Sequence, residues 1–349
     1  MLHMGEDFTL APCVLETFKL GDAVYSWALL RTITNKLGLN VAYLATSNYT
    51  CRLPYGSEIT TVAFNAPWLE LGWGSRPLAF ARAIFDARSA VKKLPSGTVV
   101  LSPRGGGIDS LIGSGHYNKR YCMTKRNECG RRWVLGLPEK HPFLARQEVL
   151  NKYLRITGNR PLELDWPFLM RGGDVIRNRS VLLAPFAGSS AREWPLESWK
   201  QLGVAIERTG MPCSVLSDGR KITECPWLAA RLRHVNLAEI VGFVSSISFV
   251  IATDSFIGHL SAACGVPVLS LFGPQSVDLW RPWGNRNLTV QSLRFNEECL
   301  LSRRTIEAAG PALMRDIKAE TIASIFTSWA DGELDCRAEE FKADGVRVI

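Results

Sequence analysis

Residues 249–284 constrain the fold more than any other stretch of this chain. Residues 249–252 form an apolar run of the kind that makes a buried strand. Thr253, Asp254 and Ser255 follow, where a helix N-cap belongs. Ile257, Leu260 and Ala263 then keep helical spacing up to Gly265, and residues 266–272 are a second apolar run closed by Gly273-Pro274. Strand, polar turn, short helix and strand make an α/β unit on a parallel sheet. Its polar groups fall at the carboxyl end of the strand, the edge where such sheets bind ligands. The start of the helix offers unpaired N–H groups and the positive end of its dipole, which suits a phosphate.

The same alternation runs through the rest of the chain. Residues 12–18, 41–46, 59–64 and 98–102 read as strands, and 23–37 and 78–91 as helices. A polar, glycine-bearing stretch at 156–180 reads as a linker. Beyond it, 181–185 and 213–216 read as strands, and 195–209, 229–234, 237–246 and 319–329 as helices. A length of 349 residues fits two domains. The expected organisation is a first α/β domain at 1–170, a second at 175–330, and a charged tail at 331–349 that frays.

The charge is lopsided. Residues 1–170 hold 21 Lys and Arg against 13 Asp and Glu, whereas residues 171–349 hold 20 of each. An anionic partner is therefore expected on the first half. Part of that excess is a run of Lys119-Arg120, Lys125-Arg126 and Arg131-Arg132 interleaved with Tyr117, Tyr121 and Trp133. A phosphate-rich acceptor site, a membrane-surface patch and a solvated loop are all readings of it. No nucleic-acid motif accompanies it, so no nucleic-acid partner is expected. Gly105-Gly106-Gly107 is not a P-loop, since no Gly-Lys-Ser/Thr follows, and reads as a close-approach turn. The nine cysteines show no CxxC or CxH spacing, so plain thiols in a reducing compartment are expected and no metal site. No apolar stretch approaches the roughly 20 residues of a spanning helix. Glu6 and Asp7 stand where a secretory leader would be basic, and a cytoplasmic protein is expected.

Three stretches carry a family resemblance. Asp254, Ser255, His259, Leu260, Ala262 and Ala263, followed by Leu271-Phe272-Gly273-Pro274-Gln275, closely resemble the C-terminal signature of glycosyltransferase family 9, the bacterial lipopolysaccharide heptosyltransferases. Ala184-Pro185-Phe186-Ala187-Gly188-Ser189 with Arg192-Glu193-Trp194-Pro195-Leu196-Glu197-Ser198-Trp199 is similar to the family's glycine loop and K-x-W-P-x-x-x-W helix start. Leu20-Gly21-Asp22-Ala23-Val24 resembles its N-terminal L-G-D loop. The departures are Arg192 for Lys, Phe256 where Gly is usual, Gln275, and Tyr25-Ser26-Trp27 in place of T-x-P. The resemblance implies GT-B architecture: two Rossmann-like, doubly wound domains facing a cleft.

It also implies roles. Glycosyl transfer needs a base for the acceptor hydroxyl, positive or N–H groups for the leaving diphosphate, and in-line positioning. Asp22 is the family's proposed base, although position alone reads it as a helix N-cap. Arg192 stands for the Lys that contacts the donor diphosphate and keeps its charge. Ser189, Asp254, Ser255, Phe256, His259 and Glu224 complete the expected donor site. From position alone, Asp254 is equally an N-cap, His259 a core histidine and Glu224 a solvated surface acid. Lys19, Arg104, Lys119 and Arg120 are the expected acceptor contacts. The resemblance thus implies an inverting, metal-independent transferase without a cofactor. It would move heptose from ADP-heptose to a hydroxyl of a lipopolysaccharide core or related glycan, with peripheral contact to the inner membrane surface. The alternatives are a transferase with another nucleotide sugar or acceptor, a nucleotide-sugar 2-epimerase, and a sugar-nucleotide-binding protein without turnover.

Overall fold

The computed structural model describes residues 11–17, 19–46, 53–66, 77–94, 98–103, 112, 122–124, 141–169, 178–300, 303–332 and 341–349. The chain divides into two compact units, Met1–Asp165 and Trp166–Ile349. The division falls inside the stretch read as a linker, but α-helix continues to Ile156 and the second unit begins before residue 175.

The first unit alternates as its apolar runs predict. Its strands are β1 (Pro12–Leu15), β2 (Val41–Thr46), β3 (Ile59–Phe64), β4 (Val99–Ser102) and β5 (Cys122–Thr124). Its helices are α1 (Leu20–Leu37), α2 (Pro77–Lys92) and α3 (Pro142–Ile156). The strands are all parallel, in the order β3-β2-β1-β4-β5. Leu15, Leu44, Phe64 and Val100 pack against Ala83, Ile84, Ala87 and Val91 on the inner face of α2. Gly38, at φ 64°, closes α1 in the left-handed conformation that glycine adopts without steric cost.

The second unit contains β6 (Asn178–Ala184), α4 (Leu196–Arg208), β7 (Cys213–Leu216), α5 (Pro226–Ala229), β8 (Leu232–Arg233), α6 (Ile240–Ser245) and β9 (Ile247–Thr253). It continues with α7 (Phe256–Ala263), β10 (Val268–Phe272), α8 (Val277–Trp280), β11 (Asn287–Ser292), α9 (Arg303–Asp316) and α10 (Ala319–Ala330). Six parallel strands lie in the order β11-β10-β9-β6-β7-β8. Counted from β6, this is the 3-2-1-4-5-6 order of a dinucleotide-binding fold. The helix expected over 229–234 is absent. The chain leaves α5 at Ala229 and pairs Leu232 and Arg233 with β7, extending the sheet by one strand.

Residues 341–349 of the expected tail do not fray. β12 (Phe341–Ala343) and β13 (Val346–Val348) form an antiparallel hairpin, and β13 pairs with β11. Val346 and Val348 are fully buried in the core of the second unit. Asp344 and Gly345, both at positive φ, make the two-residue turn. An Asp-Gly pair is what a type I′ hairpin turn selects, so the signal was present in the sequence beneath the charge. Val346→Ala is expected to cost about 2 kcal/mol in urea unfolding, whereas a frayed tail would give no change.

Candidate functional site

The strand order of the second unit reverses between β6 and β9, so the loops after these two strands diverge and leave a crevice at the carboxyl edge. Both loops deliver a charged group into it. Arg192 closes a single 3₁₀ turn (Ser190–Arg192) after β6, and Asp254 directly follows β9. Arg192 Nη1 donates to Asp254 Oδ2 at 2.9 Å. The carboxylate side chain is 7% exposed and the guanidinium side chain 23%, so the pair presents its arginine side outward. Asp254 is therefore not the helix cap that its position suggests. Ser255 holds the N-cap position of α7 and makes no side-chain cap hydrogen bond. The first amides of α7 thus keep their donors for another acceptor. The Thr253 and Ser255 hydroxyl oxygens are buried and make no hydrogen bond among the described residues. Buried polar groups in that condition are costly unless a ligand or water completes them. Phe256 is half-buried at the first position of α7, and His259 is buried one turn in.

The turn carrying Arg192 is held from three sides. A Cβ added to Gly310 of α9 would lie 2.2 Å from the Ala191 carbonyl oxygen, so glycine is what permits this approach. Trp194 Nε1 donates to the Ile317 carbonyl at 2.8 Å, and its ring meets Trp199 edge-on at 5.3 Å. The tryptophans of the W-P-x-x-x-W stretch are thus buried anchors. Glu193 accepts from the Ala187 amide at 3.0 Å and from both Arg220 terminal nitrogens, at 2.6 and 3.1 Å. Arg220 lies 4.3 Å over the Phe186 ring, and its hydrogen bonds to Glu193 raise its pKa above the ordinary value. This links the loop after β6 to the loop after β7, which also carries Glu224. Glu224 is exposed, and its carboxyl is held below the ordinary value by backbone hydrogen bonding and by Thr223.

In the first unit, the order reverses between β1 and β4, and the residues after β1 again carry the charge. Lys19 is the exposed N-cap residue of α1, so Asp22 lies inside the first turn and is not a cap. Glu16, just beyond β1, is 2% exposed at its side chain and accepts from Arg146 Nη2 of α3 at 2.8 Å. Ser26 of α1 donates to the same Glu16 oxygen at 2.6 Å and accepts from Arg146 Nε and Nη2 at 3.3 Å. Arg146 Nη2 also donates to the Asp22 carbonyl at 3.3 Å and lies 3.6 Å from the Asp22 carboxylate. One buried guanidinium therefore contacts Asp22 by main chain and side chain, with Glu16 as its nearer carboxylate. Around the network, Trp27 meets Tyr55 edge-on at 5.0 Å and Tyr25 meets His141 at 5.4 Å. Of the departure at Tyr25-Ser26-Trp27, Ser26 closes the network and the two rings are buried beside it in sequence. Burial, then the nearby Tyr55 and Glu16, hold the Tyr43 phenol well above its ordinary value and neutral.

The structure brings together Ser189, Arg192, Asp254, Ser255, Phe256 and His259 along the two loops and helix start of one switch point, with Glu224 on the neighbouring loop. It sets Lys19 three residues before Asp22. Arg104, Lys119, Arg120, the glycine run 105–107 and all the named residues of the basic run lie outside the described residues. Sequence reasoning passed over Glu16, Arg146, Arg220 and Gly310. A signal existed for two of them. Glu16 follows the apolar run of β1, and Arg146 interrupts the apolar stripe Phe143, Val149, Leu150, Tyr153 of α3. Of the described cysteines, Cys13, Cys225 and Cys264 are buried and Cys213 is half-buried. Burial, with Glu207 adding, pushes the Cys213 thiol up to about 12, which leaves it inert at neutral pH. Among the described residues no three His, Cys, Asp or Glu side chains cluster as metal ligands.

The model of glycosyltransferase family 9 (heptosyltransferase) matches residues 143–309, from α3 with Arg146 through Arg192, Asp254 and His259. The match bears out the resemblance read from the two later motif stretches, and with it the glycosyltransferase class. No curated protein matches the chain. Among solved structures the chain is similar to E. coli heptosyltransferase WaaC with ADP-2-deoxy-2-fluoro heptose, at 12% identity and TM-score 0.64 over 91% of this chain and 99% of that one. It is similar to E. coli ADP-heptose lps heptosyltransferase II at 16% identity and TM-score 0.57, covering 93% and 99%. It is also similar to the iron-containing dodecameric glycosyltransferase TibC of enterotoxigenic E. coli H10407, at 14% identity and TM-score 0.53, covering 93% and 76%. These likenesses bear out the fold, two Rossmann-like units of the GT-B class.

Removing one partner of a buried ion pair leaves the other charge uncompensated. Arg146→Ala is expected to lose about 3–5 kcal/mol in denaturant unfolding. Glu16→Gln, which keeps an acceptor for the guanidinium, is expected to lose less. Equal stability of Arg146→Ala and the parent would contradict the buried network.

Proposed function

From a chain that matches glycosyltransferase family 9 across residues 143–309, we propose an inverting transferase that takes ADP-heptose as donor. It passes the heptose to a hydroxyl of a lipopolysaccharide core or related phosphorylated glycan. The observation that carries this reading is the Arg192–Asp254 pair beside the uncapped start of α7. A diphosphate needs positive charge and N–H donors where its own charge grows as the glycosidic bond breaks. Arg192 supplies a guanidinium able to bind two phosphate oxygens, and α7 supplies amides and its dipole. Asp254 holds the guanidinium in place before the donor arrives. WaaC was solved with an ADP-linked fluoroheptose, and heptosyltransferase II is described by ADP-heptose, which supports the choice of nucleotide and sugar.

In this reading Asp22 takes the proton of the acceptor hydroxyl. The hydroxyl oxygen attacks the anomeric carbon, the bond from that carbon to the diphosphate breaks, and ADP leaves. One displacement inverts the anomeric centre. Arg146 aims the Asp22 carboxylate and Glu16 balances Arg146, so the base is fixed without being the sole partner of the arginine. Arg192 and α7 hold the leaving group without a metal. The excess of eight positive charges in residues 1–165 suits an acceptor that carries phosphates, with Lys19, Arg104, Lys119 and Arg120 as its contacts. A lipid-borne acceptor brings the protein to the inner membrane surface as a peripheral partner.

Thermal shift against a panel of nucleotides and nucleotide sugars, without added metal, tests the donor. ADP and ADP-heptose are expected to raise Tm, and Arg192→Ala to abolish the rise. A rise with UDP or GDP sugars in their place would move the donor, and no rise with any nucleotide would reject the site. Asp22→Asn is expected to keep the ADP response and to lose about 10²–10⁴-fold in ADP release with lipopolysaccharide core acceptor. Full turnover in that variant would remove Asp22 from the role of base.

A further inference from the structure

Helix α2 is apolar on both sides. Ala83, Ile84, Ala87 and Val91 face the sheet and are buried. On the opposite side Leu78 is 86% exposed and Phe85 68% exposed, the two most exposed large hydrophobic side chains among the described residues. They stand seven residues apart, two turns along one face. Arg82 lies between them on that face, and Lys92 continues it two turns beyond Phe85; both are exposed. Arg88 and Lys93 flank the stripe, and Asp86 is the one acid on the helix.

Single exposed apolar residues are ordinary on a protein surface, but two large ones aligned on one helix face among basic neighbours form a patch. We propose that the outer face of α2 docks on an anionic phospholipid surface. Leu78 and Phe85 enter the boundary between headgroups and acyl chains. Arg82, Arg88, Lys92 and Lys93 stay at the level of the phosphates, their long stems lying along the apolar contact. Charge selects this occupant over a protein one. The core of a protein–protein interface is depleted in lysine, whereas this face carries Lys92 and Lys93 and, with Arg82 and Arg88, four basic groups to one acid. The half of the chain that holds the helix also carries the whole net charge of +8. Each such cation near an anionic leaflet adds attraction that salt screens. The inference deepens the reading of a lipid-borne acceptor by giving the protein a face toward the membrane. It is measured without donor or acceptor, so its failure leaves the donor site untouched.

The test is co-sedimentation of the full chain with phosphatidylcholine vesicles, with and without one-third phosphatidylglycerol. Binding is expected only when phosphatidylglycerol is present, and is expected to weaken as salt is raised. Leu78→Ser/Phe85→Ser is expected to lose roughly tenfold in partitioning at unchanged Tm. Indifference of the parent to phosphatidylglycerol overturns the proposal. So does equal partitioning of the double variant, which would place binding elsewhere on the basic half. A dimer in analytical ultracentrifugation that the double variant splits would assign the face to a second copy of the chain and equally overturn it.

Discussion

A parallel sheet that grows outward from a central strand must reverse direction once, and at that point two neighbouring loops part and leave the carboxyl edge open. This chain meets the constraint twice. In the first unit the reversal lies between β1 and β4, and in the second between β6 and β9. Each time the loop after the central strand brings the decisive charge: Glu16 and Asp22 after β1, Arg192 after β6. The rest of the structure holds these charges in place against solvent and against one another.

The two units do this by different physics. The first buries a full ion pair, which costs desolvation and is sustained only because Ser26 and two backbone carbonyls satisfy the remaining donors of Arg146. The second leaves its arginine partly exposed and fixes the loop beneath it by packing. Gly310 lets α9 touch the backbone at Ala191, Trp194 hydrogen-bonds into the segment after α9, and Glu193 ties the loop to Arg220. A rigid loop with an accessible cation suits a ligand that comes and goes. A buried cation suits a carboxylate whose orientation must not change.

The α/β alternation was legible in the sequence because apolar runs and helical stripes are local; Asp22 and Asp254 follow predictable strand ends, whereas Arg192 was found through the resemblance of its stretch to the family's K-x-W-P. What failed was the alternative that position alone suggested for Asp22 and Asp254, that they are helix caps. Whether a residue caps depends on where the first helical turn begins. α1 starts three residues before Asp22 would require, and α7 one residue after Asp254 would allow. Glu16 with Arg146 and Gly310 with Ala191 could not be paired from sequence, since each partner lies more than a hundred residues from the other. The C-terminal hairpin was hidden by its charge, although Asp344-Gly345 spelled its turn.

The most direct measurement is a crystal structure of the protein soaked with ADP. The account predicts the terminal phosphate of ADP within hydrogen-bond reach of the Arg192 guanidinium and the backbone amides of Phe256, Ile257 and Gly258, with Asp254 still paired to Arg192. A diphosphate bound away from the β6–β9 switch point, or an Arg192 turned from it, would contradict the account.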